Sequence, residues 1–315
     1  MNAKYRNDLP QLNGKQFLTD GGLETCLIFH DGFELPLFAA FPLVNSDDGS
    51  AAIDRYLRRY AEIAIRDRKG FVLDTPTWRA SSRWAKELGY STEALRDVHL
   101  ICLERATSLR EELETPNSPF VINGGVGPQD DGYNPQTFMS VEDARDYHAE
   151  QVGWFKEFGA DMTSAITICY VEEAIGFALA AKQLDMPAVL SFTVETDGKL
   201  PSGQSLGEAI EQVDQETGGS PAYFMINCAH PDHFTSVLAG DANWKNRIMG
   251  LRANASRMSH EELDNAIDLD DGNPAELGEQ YRDLRKVLPN LNVLGGCCGT
   301  DHRHVDCVST ACGVA

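Results

Sequence analysis

Short apolar runs rich in β-branched residues recur along the whole chain, separated by segments with helical patterning. Each run is too continuous for a strand with one face in water, and is typical of a parallel strand covered on both sides. Eight such runs are predicted to be strands, over residues 17–20, 71–74, 120–123, 162–167, 188–193, 223–226, 248–251 and 291–294.

The segments between these runs carry helix signals. One helix is predicted to begin at a Ser50 cap and to end at Gly70, because apolar positions 53, 57, 60 and 64 share one face. A serine followed three residues later by an acid, the pattern of a reciprocal helix cap, occurs at Ser140, Ser205 and Ser259. Further helices are predicted over residues 95–113, 171–185 and 231–240.

Eight strands alternating with helices in a chain of 315 residues predict a parallel (β/α)8 TIM barrel of the α/β class, with residues 1–315 forming a single domain. An open doubly wound sheet is the alternative. No Gly-x-Gly-x-x-Gly sequence opens a helix, so a dinucleotide-binding fold has no support. In a barrel, the residues that follow the strands share the rim on which the active sites of this fold lie.

Cysteines at two predicted strand ends indicate a metal site on that rim. Cys297 and Cys298 stand between glycines after the eighth run, and Cys228 follows the sixth. Glycine lets the backbone bend enough to turn two adjacent thiols toward one point. Three converging thiolates suit a soft divalent metal, with Zn²⁺ the default, and leave one tetrahedral position open for chemistry. A histidine as fourth ligand would make the site structural; the nearby ones are His230, His233, His302 and His304.

Two further groups on the rim are candidates for substrate binding. Asp20, Gly21 and Gly22 follow the first run, where backbone N–H groups can bind an anion and Asp20 can bind an ammonium. Asn254 follows the seventh run, and its amide oxygen can reach the metal when no substrate is bound. All four also have a plain interpretation as turn residues. No catalytic residue is predicted beyond the metal site.

Composition excludes several classes of partner. The chain has 27 basic and 48 acidic residues and a net charge of −21, which argues against nucleic acids and anionic membranes. No run reaches the roughly 20 apolar residues of a membrane span, and the first residues lack an apolar secretion core. We therefore expect a cytoplasmic protein whose eight cysteines are reduced thiols and ligands rather than a disulfide framework. Self-association through helix faces stays open.

Together these motifs resemble the homocysteine S-methyltransferase family, which includes betaine- and S-methylmethionine-dependent enzymes and the homocysteine module of cobalamin-dependent methionine synthase. The similarity covers residues 19–25, 74–75, 124–128, 197–203, 226–228, 254 and 295–300. It implies a (β/α)8 barrel with zinc on Cys228, Cys297 and Cys298, and with the thiol of homocysteine as the next ligand. It also implies that the Asp-Gly-Gly turn at 20–22 holds the amino-acid end of that substrate.

One departure concerns the acceptor. The family usually has Glu-Thr at the end of the fourth strand, where the carboxylate helps to bind the substrate ammonium, and this chain has Ile166-Thr167. An isoleucine cannot pair with an ammonium. Either Asp20 or another acid does so, or the acceptor is a different thiol.

The expected function is therefore zinc-dependent transfer of a methyl group from a small onium donor, such as S-methylmethionine or another sulfonium, to a small-molecule thiol. Homocysteine is the expected acceptor, giving methionine. The alternatives are methylation of a different thiol, a non-catalytic zinc- or thiol-binding homologue, and a zinc hydrolase. Hydrolysis is the least favoured, because hydrolases prefer histidine and carboxylate ligands.

Overall fold

Eight parallel strands pair in chain order, and the first closes on the last. The computed structural model describes residues 2–313, apart from the side chain of Asp264, so the predicted domain limits at 1 and 315 lie outside the described residues. The strands are β1 (Phe17–Leu18), β2 (Gly70–Asp74), β3 (Phe120–Val126), β4 (Met162–Ile168), β5 (Ala188–Phe192), β6 (Tyr223–Asn227), β7 (Ile248–Ala253) and β8 (Val293–Gly296). Each predicted run overlaps one of them, although several strands extend beyond the predicted limits, and the (β/α)8 barrel is confirmed.

Helices follow the strands around the outside of the barrel. They are α1 (Leu23–Phe29), α2 (Asp47–Arg66), α3 (Ser82–Glu87), α4 (Thr92–Leu113), α5 (Val141–Phe158), α6 (Val171–Gln183), α7 (Leu206–Thr217), α8 (Pro231–Phe234), α9 (His260–Asp264), α10 (Pro274–Leu284) and α11 (His302–Ala311). Short 3-10 helices cover Pro10–Asn13, Pro36–Phe38, Phe41–Asn45, Thr235–Leu238 and Asn243–Arg247. The helix predicted over 231–240 is thus a single α-turn continued by a 3-10 turn.

The predicted caps at Ser140, Ser205 and Ser259 are present, and the last two form complete capping boxes. The prediction for α2 was wrong at both ends. The cap is Ser46, whose side chain accepts the N–H of Gly49, and the helix ends at Arg66 rather than at Gly70. Two acidic residues directly after Ser46 favour the positive end of the helix dipole there, so the helix starts one turn earlier than its apolar face.

The barrel interior near the strand starts is filled by its own apolar cluster. Inward-facing side chains from seven of the strands meet Leu9 of the N-terminal segment; the cluster is Leu9, Phe17, Val72, Val121, Met162, Val189, Tyr223, Met225 and Val293. The backbone N–H groups of Lys4 and Tyr5 both donate to Asp161 at 2.7 Å. The N-terminal segment therefore covers the amino end of the barrel and leaves the carboxyl end for the site.

Within residues 2–313, no helix combines the length and the apolar character needed to cross a membrane.

Candidate metal centre and active site

Three cysteine side chains meet where β6 and β8 end. The Sγ atoms of Cys228, Cys297 and Cys298 all lie within 4.8 Å of one another, and they are the only such group of potential metal ligands among the described residues. A tetrahedral zinc with Zn–S bonds of about 2.3 Å places its sulfurs roughly 3.8 Å apart. The three sulfurs are therefore close enough together for one metal ion to contact all of them.

The backbone turns sharply at both strand ends. Cys228 follows β6 with a φ of +52°, a left-handed conformation that residues other than glycine seldom adopt. After β8, Gly299 has a φ of +76°, and the N–H of Cys297 donates to the Ala253 carbonyl in β7 at 2.9 Å. These two turns bring Cys297 and Cys298 to the same point as Cys228.

Two of the three sulfurs are bonded to each other. Cys228 and Cys297 form a disulfide, and the Sγ of Cys298 lies 4.0 Å from that of Cys228. This pair departs from the expected reduced state, whereas the other six described cysteines form no disulfide. Barrel closure brings Cys228 and Cys297, 69 positions apart, to a Cα–Cα distance of 5.3 Å, which suits a disulfide. Binding of one metal by all three thiolates requires this bond to be reduced first.

Asn254 offers a further potential metal ligand beside the three cysteines. Its side chain is buried, and its Oδ1 has no hydrogen-bond partner among the described residues. A buried acceptor left without a partner costs free energy unless a ligand satisfies it. Three thiolate sulfurs and one amide oxygen without a hydrogen-bond partner form a set of ligands that fits a zinc ion.

A cavity of about 440 Å³ opens at this end of the barrel. All the residues predicted for the site line it: Asp20, Gly21, Gly22, Cys228, Asn254, Cys297 and Cys298. Six carboxyl side chains and two guanidinium groups stand in its wall; these are Asp20, Glu24, Asp74, Asp131, Asp268 and Asp270, with Arg79 and Arg252. This excess of acids favours a cationic ligand.

Asp20 is already paired with a cation. Arg252 lies between Asp20 and Asp74 and forms an ion pair with each. The second oxygen of Asp20 accepts a hydrogen bond from the Tyr56 hydroxyl at 3.1 Å, and the Nε of Arg252 donates to the Gly296 carbonyl at 3.1 Å. A substrate ammonium can therefore reach Asp20 only by sharing its carboxylate with Arg252 or by displacing that side chain.

Burial raises the pKa values of two carboxyl groups in the cavity wall. Burial raises the pKa of Asp20, against the opposing effect of the Arg252 guanidinium. Burial likewise raises the pKa of Glu24 to about 7. A cation bound beside them would stabilise the charged form of both, so ligand binding and ionisation are coupled in this cavity.

Gly21 and Gly22 pack tightly against the cysteine loop. A Cβ on Gly22 would lie 2.6 Å from the carbonyl oxygen of Cys297, and one on Gly21 would lie 2.8 Å from that of Thr300. The N–H of Gly22 donates to the Thr300 carbonyl at 3.0 Å. The glycines thus allow a close approach of two backbones, and the N–H of Gly22 is already bonded within the protein.

Asn227 connects the cysteines to the neighbouring strands. Its Oδ1 accepts the N–H of Thr167 at 2.9 Å and the hydroxyl of Ser191 at 2.6 Å. Its Nδ2 donates to the Thr167 hydroxyl at 2.8 Å and lies 3.9 Å from the Sγ of Cys297. Because Asn227 directly precedes Cys228, this buried amide fixes the strand end from which Cys228 leaves.

Ile166 lies in the wall of the cavity near the end of β4. The Nε1 of Trp78 donates to its carbonyl at 3.1 Å, so the backbone is held and the side chain forms part of the apolar lining. The position at which the family resemblance would place a carboxylate is therefore part of the cavity wall.

The four histidines considered as further ligands lie elsewhere, and none of them lines the cavity. The Nδ1 of His230 accepts the N–H of Asp232 at the start of α8. His233 and His304 contact the backbone carbonyls of Arg257 and Asp271. Among the described residues, no histidine closes the three-sulfur cluster.

Two arginines of the cavity were not anticipated from the sequence. Arg252 lies within β7, and a charged residue inside a buried strand was the available signal, because a buried arginine needs a partner. Arg79 directly follows Trp78 in the loop after β2. Nothing in the sequence distinguishes Arg79 from an exposed loop arginine.

The fold and the site define a (β/α)8 barrel protein with a candidate three-thiol metal centre at the carboxyl end of its strands. Comparisons with known proteins identify the family. The family model described as homocysteine S-methyltransferase matches residues 17–312. Homocysteine S-methyltransferase 1 of Arabidopsis thaliana is 22% identical, over 96% of this chain and 95% of the relative.

Two solved structures share the fold, both of the homocysteine methyltransferase MmuM from Escherichia coli. Its oxidised form has a TM-score of 0.74 at 18% identity, covering 94% of this chain and 96% of that one. Its metallated form has a TM-score of 0.71 at 17% identity, covering 95% and 97%. The chain belongs to the homocysteine S-methyltransferase family and is a methyltransferase.

Proposed function

We propose that this protein is a zinc-dependent S-methyltransferase that moves a methyl group from a small onium donor to a thiol, with homocysteine as acceptor and methionine as product. The observation that carries the proposal is the cluster of three cysteine sulfurs within 4.8 Å, in the wall of an acidic cavity at the active end of a barrel of this family.

Cys228, Cys297 and Cys298 would hold the metal as thiolates once the disulfide is reduced, with Asn254 facing the same cavity. Bound zinc would keep the acceptor thiol deprotonated at neutral pH, where a free thiol of pKa about 8.5 is mostly protonated. Asn227 would keep the end of β6 in place, because its hydrogen bonds tie that strand end to β4 and β5.

The rest of the cavity suits an onium donor. Its carboxylates attract a cation, and the aromatic side chains of Trp78 and Tyr133 are part of its lining and can bind one through their rings. In the transfer, a bond forms between the acceptor sulfur and the methyl carbon while the bond from that carbon to the onium atom breaks. The electron pair of the broken bond leaves with the donor, and no proton moves at the methyl group, so the protein contributes alignment.

The test compares reduced wild-type protein with Cys298→Ala and with a matched control, Cys307→Ala, which removes a cysteine outside the cluster. We expect about one zinc per chain in wild type and control and loss of most of it in Cys298→Ala, because two thiolates do not complete the site. Metal content is measured by elemental analysis. We also expect wild type with homocysteine and S-methylmethionine to form methionine, detected by mass spectrometry. Full zinc retention by Cys298→Ala, or no thioether from any thiol in a panel, would reject the proposal.

A further inference from the structure

Arg79 is the basic side chain of the cavity whose hydrogen-bond donors are least used. Arg252, the other guanidinium in the wall, is occupied by two carboxylates and a backbone carbonyl. The Nε of Arg79, in contrast, is buried without a hydrogen-bond partner among the described residues. Its Nη1 makes one long bond to the Asp130 carbonyl at 3.3 Å. Most of the five N–H donors of this guanidinium therefore have no hydrogen-bond acceptor among the described residues.

The contact of Arg79 with Asp131 does not use them. Their closest atoms are 3.8 Å apart, which is beyond hydrogen-bonding distance. The Oδ1 of Asp131 accepts the N–H groups of Tyr133 and Asn134 at 2.8 and 2.9 Å, so this carboxylate is held by its own loop. Asp131 adds charge near Arg79 without satisfying it.

The guanidinium of Arg79 is held rigidly. Its Cζ lies 3.9 Å from the ring centroid of Trp84 and 4.3 Å from that of Trp78, and the side chain is only 8% exposed. Two indole contacts fix the plane of the group, so little conformational entropy is lost when it binds a ligand. A buried, oriented guanidinium with free donors in a cavity wall is a built site for a planar anion.

We propose that Arg79 binds the carboxylate of a substrate in this cavity and so determines specificity for amino-acid-like ligands. The inference rests on the proposed function, since it concerns the ligands of the same site. A zwitterion fits the wall as a whole, because its cation can face the carboxylates while its carboxylate binds Arg79. The carboxylate can come from the thiol acceptor or from the onium donor.

The experiment pairs Arg79→Gln with substrates that differ only in the carboxylate. The acceptors are homocysteine and 3-aminopropane-1-thiol, and the donors are S-methylmethionine and (3-aminopropyl)dimethylsulfonium. We expect wild type to prefer the carboxylate-bearing member of one pair by about tenfold to a hundredfold in kcat/KM, the range for a hydrogen bond to a charged group. Arg79→Gln should lose that preference, and the pair affected identifies the source of the carboxylate.

The matched control is Arg83→Gln. Arg83 also lies over Trp84, at 4.9 Å, and it pairs with Asp130 at 2.7 Å, but it is outside the cavity lining. This variant should keep the wild-type preference. Equal losses by Arg79→Gln toward both members of every pair would overturn the proposal and leave Arg79 a packing residue.

Two further measurements separate the possible failures. Calorimetric binding of the same four compounds reports on Arg79 without turnover, so an inactive wild type that still prefers carboxylates would reject the methyl transfer and keep this inference. Arg79→Lys, which retains the charge but not the fork of donors, should give an intermediate preference if Arg79→Gln does not fold. No preference in wild-type binding or turnover overturns the inference.

Discussion

Arg252 changes what the Asp-Gly-Gly turn can offer a substrate. A free carboxylate at Asp20 would be a simple site for an ammonium, but this carboxylate lies in a buried network with Arg252 and Asp74. Removal of one partner from a buried charge pair of this kind strongly destabilises the protein. Selection between thiol acceptors then depends on cavity side chains that are not already paired within the protein. Ile166 is one of these side chains in the cavity wall.

Ile166→Glu tests the identity of the acceptor at this position. If homocysteine is the acceptor but is bound without an ammonium partner, the new carboxylate should lower its KM by about tenfold, as a charged hydrogen bond would. Steady-state kinetics with homocysteine measures the change. Ile166→Gln is the control, because it has similar size without the charge and should not give the gain. Unchanged or poorer use of homocysteine by Ile166→Glu would indicate that the cavity serves another thiol.

Among the elements, helix α11 is the one most directly joined to the cysteine loop. It begins at His302, and its cap is Asp301, which directly follows Thr300 and whose side chain accepts the N–H of Arg303. Burial opposes ionisation of Asp301, but the side chains of His304 and Arg303 and the Arg303 N–H together hold its pKa well below the ordinary 3.8. The cap therefore fixes the helix start directly after the loop that carries two of the cysteines.

Asp301→Asn should separate the charge of this cap from its hydrogen bond. Asparagine caps a helix as well as aspartate, so we expect a loss of about 0.3–1 kcal/mol in the free energy of unfolding at pH 7 from the missing charge at the helix start. A group with a depressed pKa stabilises the fold above its unfolded value and stops doing so as it is protonated. The difference from wild type should therefore narrow as the pH falls below 3.8.

Urea unfolding of both proteins at several pH values measures this. Ser46→Asn, at the cap of α2, is the control, because the Ser46 hydroxyl bonds the Leu43 carbonyl and the Gly49 N–H rather than a carboxylate. Its difference from wild type in the free energy of unfolding should not narrow in the same pH range. If the difference between Asp301→Asn and wild type in the free energy of unfolding stays constant as the pH falls below 3.8, the charge of Asp301 does not stabilise the helix start.

On the scale of the whole molecule, the two ends of the barrel have separate tasks. The amino end is closed by the apolar cluster around Leu9, and the carboxyl end holds the cysteines and the cavity. This division is general for the fold, in which residues at the amino end contribute to stability and loops at the carboxyl end carry function.

Leu9→Ala should therefore destabilise the protein without changing the site. Leu9 is 3% exposed, and truncation of a buried leucine costs about 2–5 kcal/mol. Leu12 lies in the adjacent 3-10 helix and is 45% exposed, so Leu12→Ala should change stability by less than about 0.5 kcal/mol. Chemical unfolding measures both, and zinc content at a temperature where both are folded should equal that of wild type. Equal stability of the two variants would show that the segment does not seal the barrel.

Local pattern was enough to predict the eight strands, their order and several of the helices, but not α1, α3, α10 or α11. Continuous apolar runs identified the eight strands, since a strand covered on both faces must be apolar throughout, and the caps at Ser140, Ser205 and Ser259 follow from local hydrogen bonding. Strand ends with cysteine, glycine and asparagine pointed to one rim. The true start of α2 was missed because both Ser46 and Ser50 can cap a helix, and the acidic pair after Ser46 was not weighed against the apolar face that begins later.

The sequence by itself determined the barrel and the residue types on its rim, because both depend on patterns within a few positions. Tertiary structure decided which rim groups bind each other: the pairing of Asp20 with Arg252 joins residues 232 positions apart, and the disulfide joins residues 69 positions apart. It also decided that Arg79 is buried against two indoles with unused donors. Such contacts depend on distances across the closed barrel, and hydrophobic patterning along the chain carries no information about those distances.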